Sequence, residues 1–293
     1  MGLEMVRLAE RTYYFPGGTN VGLYRGDGSV AYLIDSGNDS ETGRRLLSSL
    51  SAAGMELKTI LNTHSNADHC GGNSFLQEKT SCAVMAPPVE AAFLEHPYLE
   101  PTVLYGGMPP PELMGKFFVA KPSRAEKDGL SSLPQGITAV ALPGHYFGMQ
   151  GYITSDGILF AADSLFSRQV IEKYHIVFLY DVAAFLDTLL LLPALGCKLY
   201  VPSHAEPTAD VEDLAEVNRN KVLEVADLVL GACESPSSPD EILKHIYDHY
   251  GLQLDMGQYA LAGSTIRSYT TYLYNLGKLK RTFEGNRLRF ITV

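Results

Sequence analysis

The sequence predicts an α/β layered fold followed by a smaller helical unit that ends in a β-hairpin. Two observations predict the first part. Short β-type runs alternate with helical stretches from about Ser29 to His204, and several of those runs lead directly into a histidine or an aspartate. A third observation predicts the second part: beyond Pro207 the apolar spacing turns helical, and two short strands flank Gly285-Asn286 at the C-terminus.

Taken in order, Ser29–Ile34 reads as a strand, Asp35-Ser36-Gly37 as a turn, and about Ser40 to Ala53 as a helix. Lys58–Thr63 is a short buried strand, Gly71-Gly72-Asn73 opens another helix, and Ser81–Ala86 is a strand. From Pro87 to about Pro134 the periodicity loosens around Gly106-Gly107 and Pro109-Pro110-Pro111, which reads as an insertion or lid. Strands resume at Ile137–Leu142, Gly151–Thr154, Ile158–Ala161 and Lys198–Val201, with a helix at about Ala183–Leu195. These expectations divide the chain into an α/β domain, 1–207, and a C-terminal domain, 208–293, each with its own core. In the latter, Val211–Cys233 is a connecting helix. Ser238, Pro239 and Glu241 form a capping signal for a helix to about Tyr250. A third helical stretch starts at Ser264, and Leu279–Phe283 with Leu288–Val293 makes the hairpin, an order that suggests a winged helix. No internal repeat is visible.

The composition is that of an ordinary folded protein of 293 residues, 46% hydrophobic. The longest apolar run, Leu189–Leu195, is broken by Pro193 and falls far short of the roughly 20 residues that span a bilayer, so no membrane segment is expected. The first residues offer neither an apolar signal region nor a myristoylation pattern. The four cysteines are scattered without a paired spacing, which points to a reduced, cytoplasmic setting. Net charge is −10, unevenly placed: from Ser237 onward seven Lys or Arg stand against five Asp or Glu, leaving 16 against 28 in the rest. Arg267, Lys278, Lys280, Arg281, Arg287 and Arg289 could meet phosphates if they share a face. The acidic remainder would repel a polyanion, and packing or a homodimer contact explains the same residues more simply.

The chemistry concentrates in Thr63-His64-Ser65-Asn66-Ala67-Asp68-His69-Cys70-Gly71-Gly72, where a strand ends in a loop dense with ligand side chains. A loop can turn imidazole and carboxylate inward from several directions, which one helix face cannot do at this spacing. Three further segments deliver a ligand straight after an apolar strand: Ala141–His145, Leu159–Asp163 and Leu199–His204. Any single one would read as a turn cap, but four of the eight histidines fall on this set.

In these residues and their order the chain resembles the metallo-β-lactamase superfamily, whose loop motif is H-x-H-x-D-H followed downstream by His, Asp and His. The resemblance covers about residues 12 to 207. It implies a four-layer αβ/βα sandwich with metals at one edge between the sheets. One ion would be held by His64, position 66 and His145, a second by Asp68, His69 and His204, with Asp163 bridging. Asp35 matches an early aspartate that supports the metal loop without ligating. Asn66 departs from the motif where a histidine is expected. An amide oxygen is a weaker zinc ligand than imidazole, so the first position is expected to be compromised. The implied cofactor is zinc, one or two ions, with iron or manganese as alternatives.

The expected function is hydrolysis of a small ester, thioester or lactone by a metal-bound hydroxide, because a cation lowers the pKa of its water from about 15.7 to about 7. Asp68 is expected to orient the nucleophile, and Tyr146 to donate to a developing oxyanion. Alternatives are a metal-dependent nuclease, a mononuclear iron sulfur-oxidising dioxygenase, and a non-enzymatic nucleic-acid-binding regulator. The expected partner is a small-molecule substrate rather than nucleic acid or membrane. Cys70 and His175 read more simply as packed residues than as functional ones. The aromatics Phe93, Tyr98, Tyr105, Phe117 and Phe118 either line a pocket or pack the insertion.

Overall fold

A computed structural model describes residues 2–126 and 132–293; residues 127–131 of the expected insertion lie outside the described residues. One sheet contains β1 (Val6–Arg7), β2 (Thr12–Phe15), β3 (Val21–Arg25), β4 (Val30–Ile34), β5 (Glu56–Leu61) and β6 (Ala83–Met85), side by side in chain order. Its first four strands are antiparallel, and β4, β5 and β6 run parallel. The parallel pairs need crossovers, which α1 (Ser40–Ala52), α2 (Ala67–Cys70) and α3 (Asn73–Thr80) supply. The insertion then contributes α4 (Pro88–Glu95), α5 (Leu99–Tyr105) and a 3-10 turn at Pro111–Met114. At eight and seven residues, the two helices are too short to impress a helical period on the sequence.

The second sheet has the order β10 (Leu199–His204), β9 (Ile158–Phe166), β8 (Gln150–Thr154), β7 (Ile137–Ala141), with α6 (Arg168–Tyr174) and α7 (Val182–Ala194) between β9 and β10. The chain closes with α8 (Val211–Ala232), α9 (Pro239–Tyr250), α10 (Met256–Asn275), β11 (Leu279–Glu284) and β12 (Arg287–Thr292). The capping box at Ser238 and Glu241 forms as its sequence predicts. The third of these helices starts at Met256, well before the expected Ser264, because the Asp255 side chain accepts from Gln258 N and caps it there.

Strand alternation produces the layers, since successive side chains point to opposite faces. Leu23, Leu33, Ile60 and Val84 pack with Leu46, Leu50 and Leu76 of α1 and α3 on one face of the first sheet. Tyr24, Ile34 and Leu61 meet Tyr152, Phe160 and Val201 of the second sheet on the other. The sheets approach so closely at Gly22 that a Cβ there would lie 2.5 Å from the Phe160 ring. Behind the second sheet, Leu159 and Ala161 pack with Phe185 and Leu189 of α7 and Val222 and Val225 of α8. Helix, sheet, sheet, helix is the four-layer sandwich that the resemblance implies.

The cluster behind the second sheet continues without a break into Ile242, Ile246, Ile266, Leu273 and Phe290. The C-terminal unit therefore shares that core instead of having one to itself. The reason is α8, whose 22 residues present one apolar face long enough to meet both α7 and the helices that follow. Ser237 bridges Phe290, adding a short edge to the terminal hairpin. Ala260 of α10 packs with Leu104 of α5 and with Leu113 and Phe118, so this unit also covers the insertion.

Gly144, just before His145, has φ +128, and a Cβ there would sit 2.4 Å from the Phe185 backbone nitrogen. Both the backbone conformation and the approach of α7 require glycine. Gly144→Ala is expected to destabilise the protein by about 2 kcal/mol or more in urea unfolding. An unchanged midpoint would show that α7 does not hold this loop.

Candidate metal centre

The site grows from the end of β4. Asp35 has φ +64, a left-handed backbone unusual for a non-glycine residue, and is 1% exposed. Its carboxylate accepts from Thr63 N and Thr63 Oγ1, both at 2.8 Å, from Asn62 Nδ2 at 3.3 Å and from His69 Nδ1 at 2.8 Å. One buried carboxylate thus joins the end of β4 to the loop after β5 and to α2. Gly72 allows this crossing, because a Cβ there would lie 2.4 Å from Ser36 O.

The expected ligands come from strand ends, from the segments that follow them and, for Asp163, from inside a strand. His64 follows β5, Asp68 and His69 lie on α2, and His145 sits between β7 and β8. Asp163 lies within β9, and His204 ends β10. Strand β9 runs past the expected end at Ala161, and its pairing with β10 shifts register there, Phe160 opposite Val201 but Ala162 opposite Pro202. Ala162 adopts φ +51 at this irregularity, which re-aims the following Asp163.

All four imidazoles have Nδ1 engaged on the side away from the cluster. His69 bonds Asp35, His145 bonds Phe178 O at 2.8 Å, His204 bonds Gly18 O at 2.7 Å, and His64 lies 3.0 Å from Thr63 Oγ1. A carbonyl only accepts, so Nδ1 of His145 and His204 carries the hydrogen, and Nε2 is the atom left to ligate. The structure groups His64, His145 and Asp163 as one set and Asp68, His69 and His204 as another, with the ligand atoms of each set within 4.8 Å of one another. Asp163 spans both sets: its Oδ1 is 3.2 Å from His69 Nε2, and its Oδ2 is 3.6 Å from His145 Nε2 and 3.2 Å from His204 Nε2.

The donor set fits divalent cations. His64 Nε2 is buried without a hydrogen-bond partner, and His69 Nε2 and Asp163 Oδ1 have only each other, at 3.2 Å, which native interiors rarely tolerate. Imidazole nitrogens and carboxylate oxygens are the ligands that zinc takes. The charges agree. Burial opposes a proton on His69, yet Asp68, Asp163 and Asp35 together hold its pKa well above the ordinary value. Burial likewise opposes charge on His204, but Asp163 and Asp68 raise it to about 10. Burial and the neighbouring His69 hold His64 well below its ordinary value, in the neutral form that ligates. Without a cation, protonated His69 and His204 thus balance the buried carboxylates.

Several supporting residues escaped the sequence reading. Thr19 Oγ1, in the loop between β2 and β3, donates to Asp68 Oδ2 at 2.7 Å. From the insertion, Glu90 accepts from Ser65 N at 3.0 Å, Ser65 Oγ at 2.6 Å and Gly148 N at 2.7 Å, tying the His64 loop to the His145 loop. Glu100 accepts from Asn66 Nδ2 at 2.8 Å, and Asn66 Oδ1 lies 3.1 Å from His145 Nε2. Isolated glutamates in an aperiodic stretch carry no sequence signal.

Other expected residues take different places. The Tyr146 ring packs against Phe93, Phe147, Phe178 and His64, and its hydroxyl neighbours Ser65, Glu90 and Glu100. Tyr146 is 2% exposed, and its hydroxyl is buried without a hydrogen-bond partner. Cys70 is buried, donates to Ser65 O at 3.3 Å, and has its thiol pKa pushed up by burial, as a packed residue would. His175 stacks on Tyr250 at 4.0 Å and does not line the cleft. Of the aromatics, Phe93 and Phe118 pack inside, Tyr98 and Tyr105 are exposed, and Phe117 lines the cleft beside Asp68.

Comparison with known proteins bears on the same residues. A family model described as the metallo-beta-lactamase superfamily matches residues 14–204. The hydroxyacylglutathione hydrolase of Methylobacillus flagellatus is 30% identical over 137 residues, 46% of this chain and 43% of that protein. The hydroxyacylglutathione hydrolase of Rhodopseudomonas palustris is 30% identical over 147 residues, 47% of this chain and 49% of that protein. The chain thus aligns with less than half the length of these curated relatives. A beta-lactamase domain protein from Burkholderia ambifaria superimposes with a TM-score of 0.76 at 18% identity, covering 99% of this chain and 94% of that one. A metallo-beta-lactamase family protein from Thermus thermophilus does so with a TM-score of 0.68 at 21% identity, covering 94% of each. These two structures share the fold.

Two outcomes follow from the geometry. Glu90→Ala leaves buried Ser65 and Gly148 donors unpaired and is expected to cost about 2–4 kcal/mol in thermal unfolding, with weaker metal retention. A stable variant with normal metal content would remove Glu90 from the support of the site. Metal uptake at pH 7 should release protons, because His69 and His204 are protonated without a cation and must expose Nε2 to bind one; affinity therefore rises with pH. Calorimetric titration with zinc in two buffers of different ionisation enthalpy checks this, and identical heats would contradict it.

Proposed function

The chain belongs to the metallo-β-lactamase superfamily, and on that premise we propose that it is a metal-dependent hydrolase of a small thioester, with esters and lactones as the wider class. The observation that carries the reading is the convergence of four imidazoles with oriented Nε2 atoms on Asp68 and Asp163, beside a cleft that Asp68 lines. The thioester choice draws support from the hydroxyacylglutathione hydrolases, whose named substrate is an acyl thioester. The cleft, about 310 Å³, suits a small molecule rather than a polymer. It runs between the Pro16–Thr19 loop, the start of α1, and Lys116 with Phe117 of the insertion.

In this reading His64, His145, Asn66 and Asp163 hold one cation, and Asp68, His69, His204 and Asp163 the other, zinc being the first candidate and iron or manganese the alternatives. When bound, the cations supply Lewis acidity and an acidified water. The residues do the rest. Asp68, with its side chain 34% exposed, is the carboxylate that reaches the cleft, where it orients the attacking water and accepts its proton. Thr19 fixes the Asp68 rotamer through its hydrogen bond. The acyl group lies against Phe15 and Phe117, and Arg45 and Lys116 on the cleft lining favour a substrate that carries a carboxylate. A nucleic-acid role draws less support, because Arg289 is paired with Glu241, Arg281 lies over Tyr274 and Arg267 donates to Gly263 O.

The test is a panel of acyl thioesters assayed by release of free thiol. Chelation should abolish turnover and added divalent metal restore it, and Asp163→Asn should lower kcat by more than ~100-fold. Turnover that survives complete chelation, or that is confined to polynucleotides, would sink the proposal. Arg45→Ala with Lys116→Ala should raise KM for carboxylate-bearing substrates about tenfold with kcat unchanged.

A further inference from the structure

Asn66 takes the place of the motif's second histidine, yet its amide is held on both sides. Nδ2 donates to Glu100 Oε1 at 2.8 Å, and Oδ1 lies 3.1 Å from His145 Nε2. His145 Nδ1 donates to Phe178 O, so Nε2 is the ring nitrogen turned towards Asn66 Oδ1. Nε2 and Oδ1 thus lie side by side next to the His64, His145 and Asp163 set, where both atoms can ligate one cation.

Glu100 accounts for the orientation. It comes from α5 of the insertion, is 6% exposed, and its Oε1 accepts from the NH₂ end of the amide. Turning the amide over would break that bond.

We propose that Glu100 is a positioning residue that makes Asn66 Oδ1 the fourth ligand of the first site, so that this centre holds two cations. The inference rests on the metal-dependent reading above and concerns only how the first ion is held. A carboxylate that accepts from an amide N–H draws negative charge onto the amide oxygen, as it does for a ligating imidazole. Glu100 thereby compensates for the poorer ligand by fixing its direction, without contacting the cation. With Asp163 shared, each site then has two imidazole nitrogens and two oxygens. That set is harder than the family's three-histidine site and tolerates manganese or ferrous iron beside zinc.

The experiment is a zinc titration of apoprotein against a chromophoric chelator. Wild type should take up two equivalents, one of which is lost in His64→Ala. Glu100→Ala should weaken that equivalent 10- to 100-fold and leave the other unchanged. Glu100→Gln, similar in size and still offering an oxygen acceptor, should weaken it less. In an Asn66→His background the Glu100→Ala effect should shrink, because an imidazole ligates without an oriented amide; a purely structural role for Glu100 would leave it undiminished. One equivalent in wild type with a second only in Asn66→His would overturn the proposal, as would equal affinities for wild type and Glu100→Ala. If Glu100→Ala fails to fold, Glu100→Gln and the wild-type stoichiometry decide the matter. The readout is bound metal, so absence of thioesterase activity would refute the proposed substrate and leave this inference intact.

Discussion

The metal-facing edge depends on one buried negative charge. Asp35 is held in a left-handed backbone at the end of β4, where its carboxylate collects donors from Asn62, Thr63 and His69. A carboxylate out of water is unfavourable unless its lone pairs are satisfied, so those three residues cannot move independently of it. Glu90 and Glu100 add buried acceptors from the insertion, one gripping Ser65 and Gly148, the other Asn66. The loop that carries the ligands is thus held by three buried acidic side chains.

What was legible in the sequence follows from this arrangement. His64, Asp68, His69, His145 and His204 could be read because each stands where an apolar run stops, a local signal that survives without knowledge of the fold. Asp163 could be read for the same reason, although the strand in fact continues past it to Phe166, and the change of direction comes from the irregularity at Ala162. Glu90 and Glu100 could not be read. A buried glutamate looks like any surface glutamate until its partner is known, and these partners lie 25 and 34 residues away in sequence.

The layers were legible where strands alternate cleanly or run fully apolar, as from Val30 to Ile34. They were not legible in the insertion, whose helices are short, or at β1 to β3, where Gly22 interrupts the pattern because the Phe160 ring fills its place. The C-terminal helices and hairpin were readable from caps and turns, which are local. Their packing into the common core is not, since it depends on which face of α8 meets α7.

The contact between Ala260 of α10 and Leu104 of α5 gives the C-terminal helices a hold on the site. Helix α5 carries Glu100, and Glu100 holds Asn66. A substitution on the α10 face that meets α5 can therefore reach the metal loop from nearly 200 residues away in sequence, through one helix and one hydrogen bond.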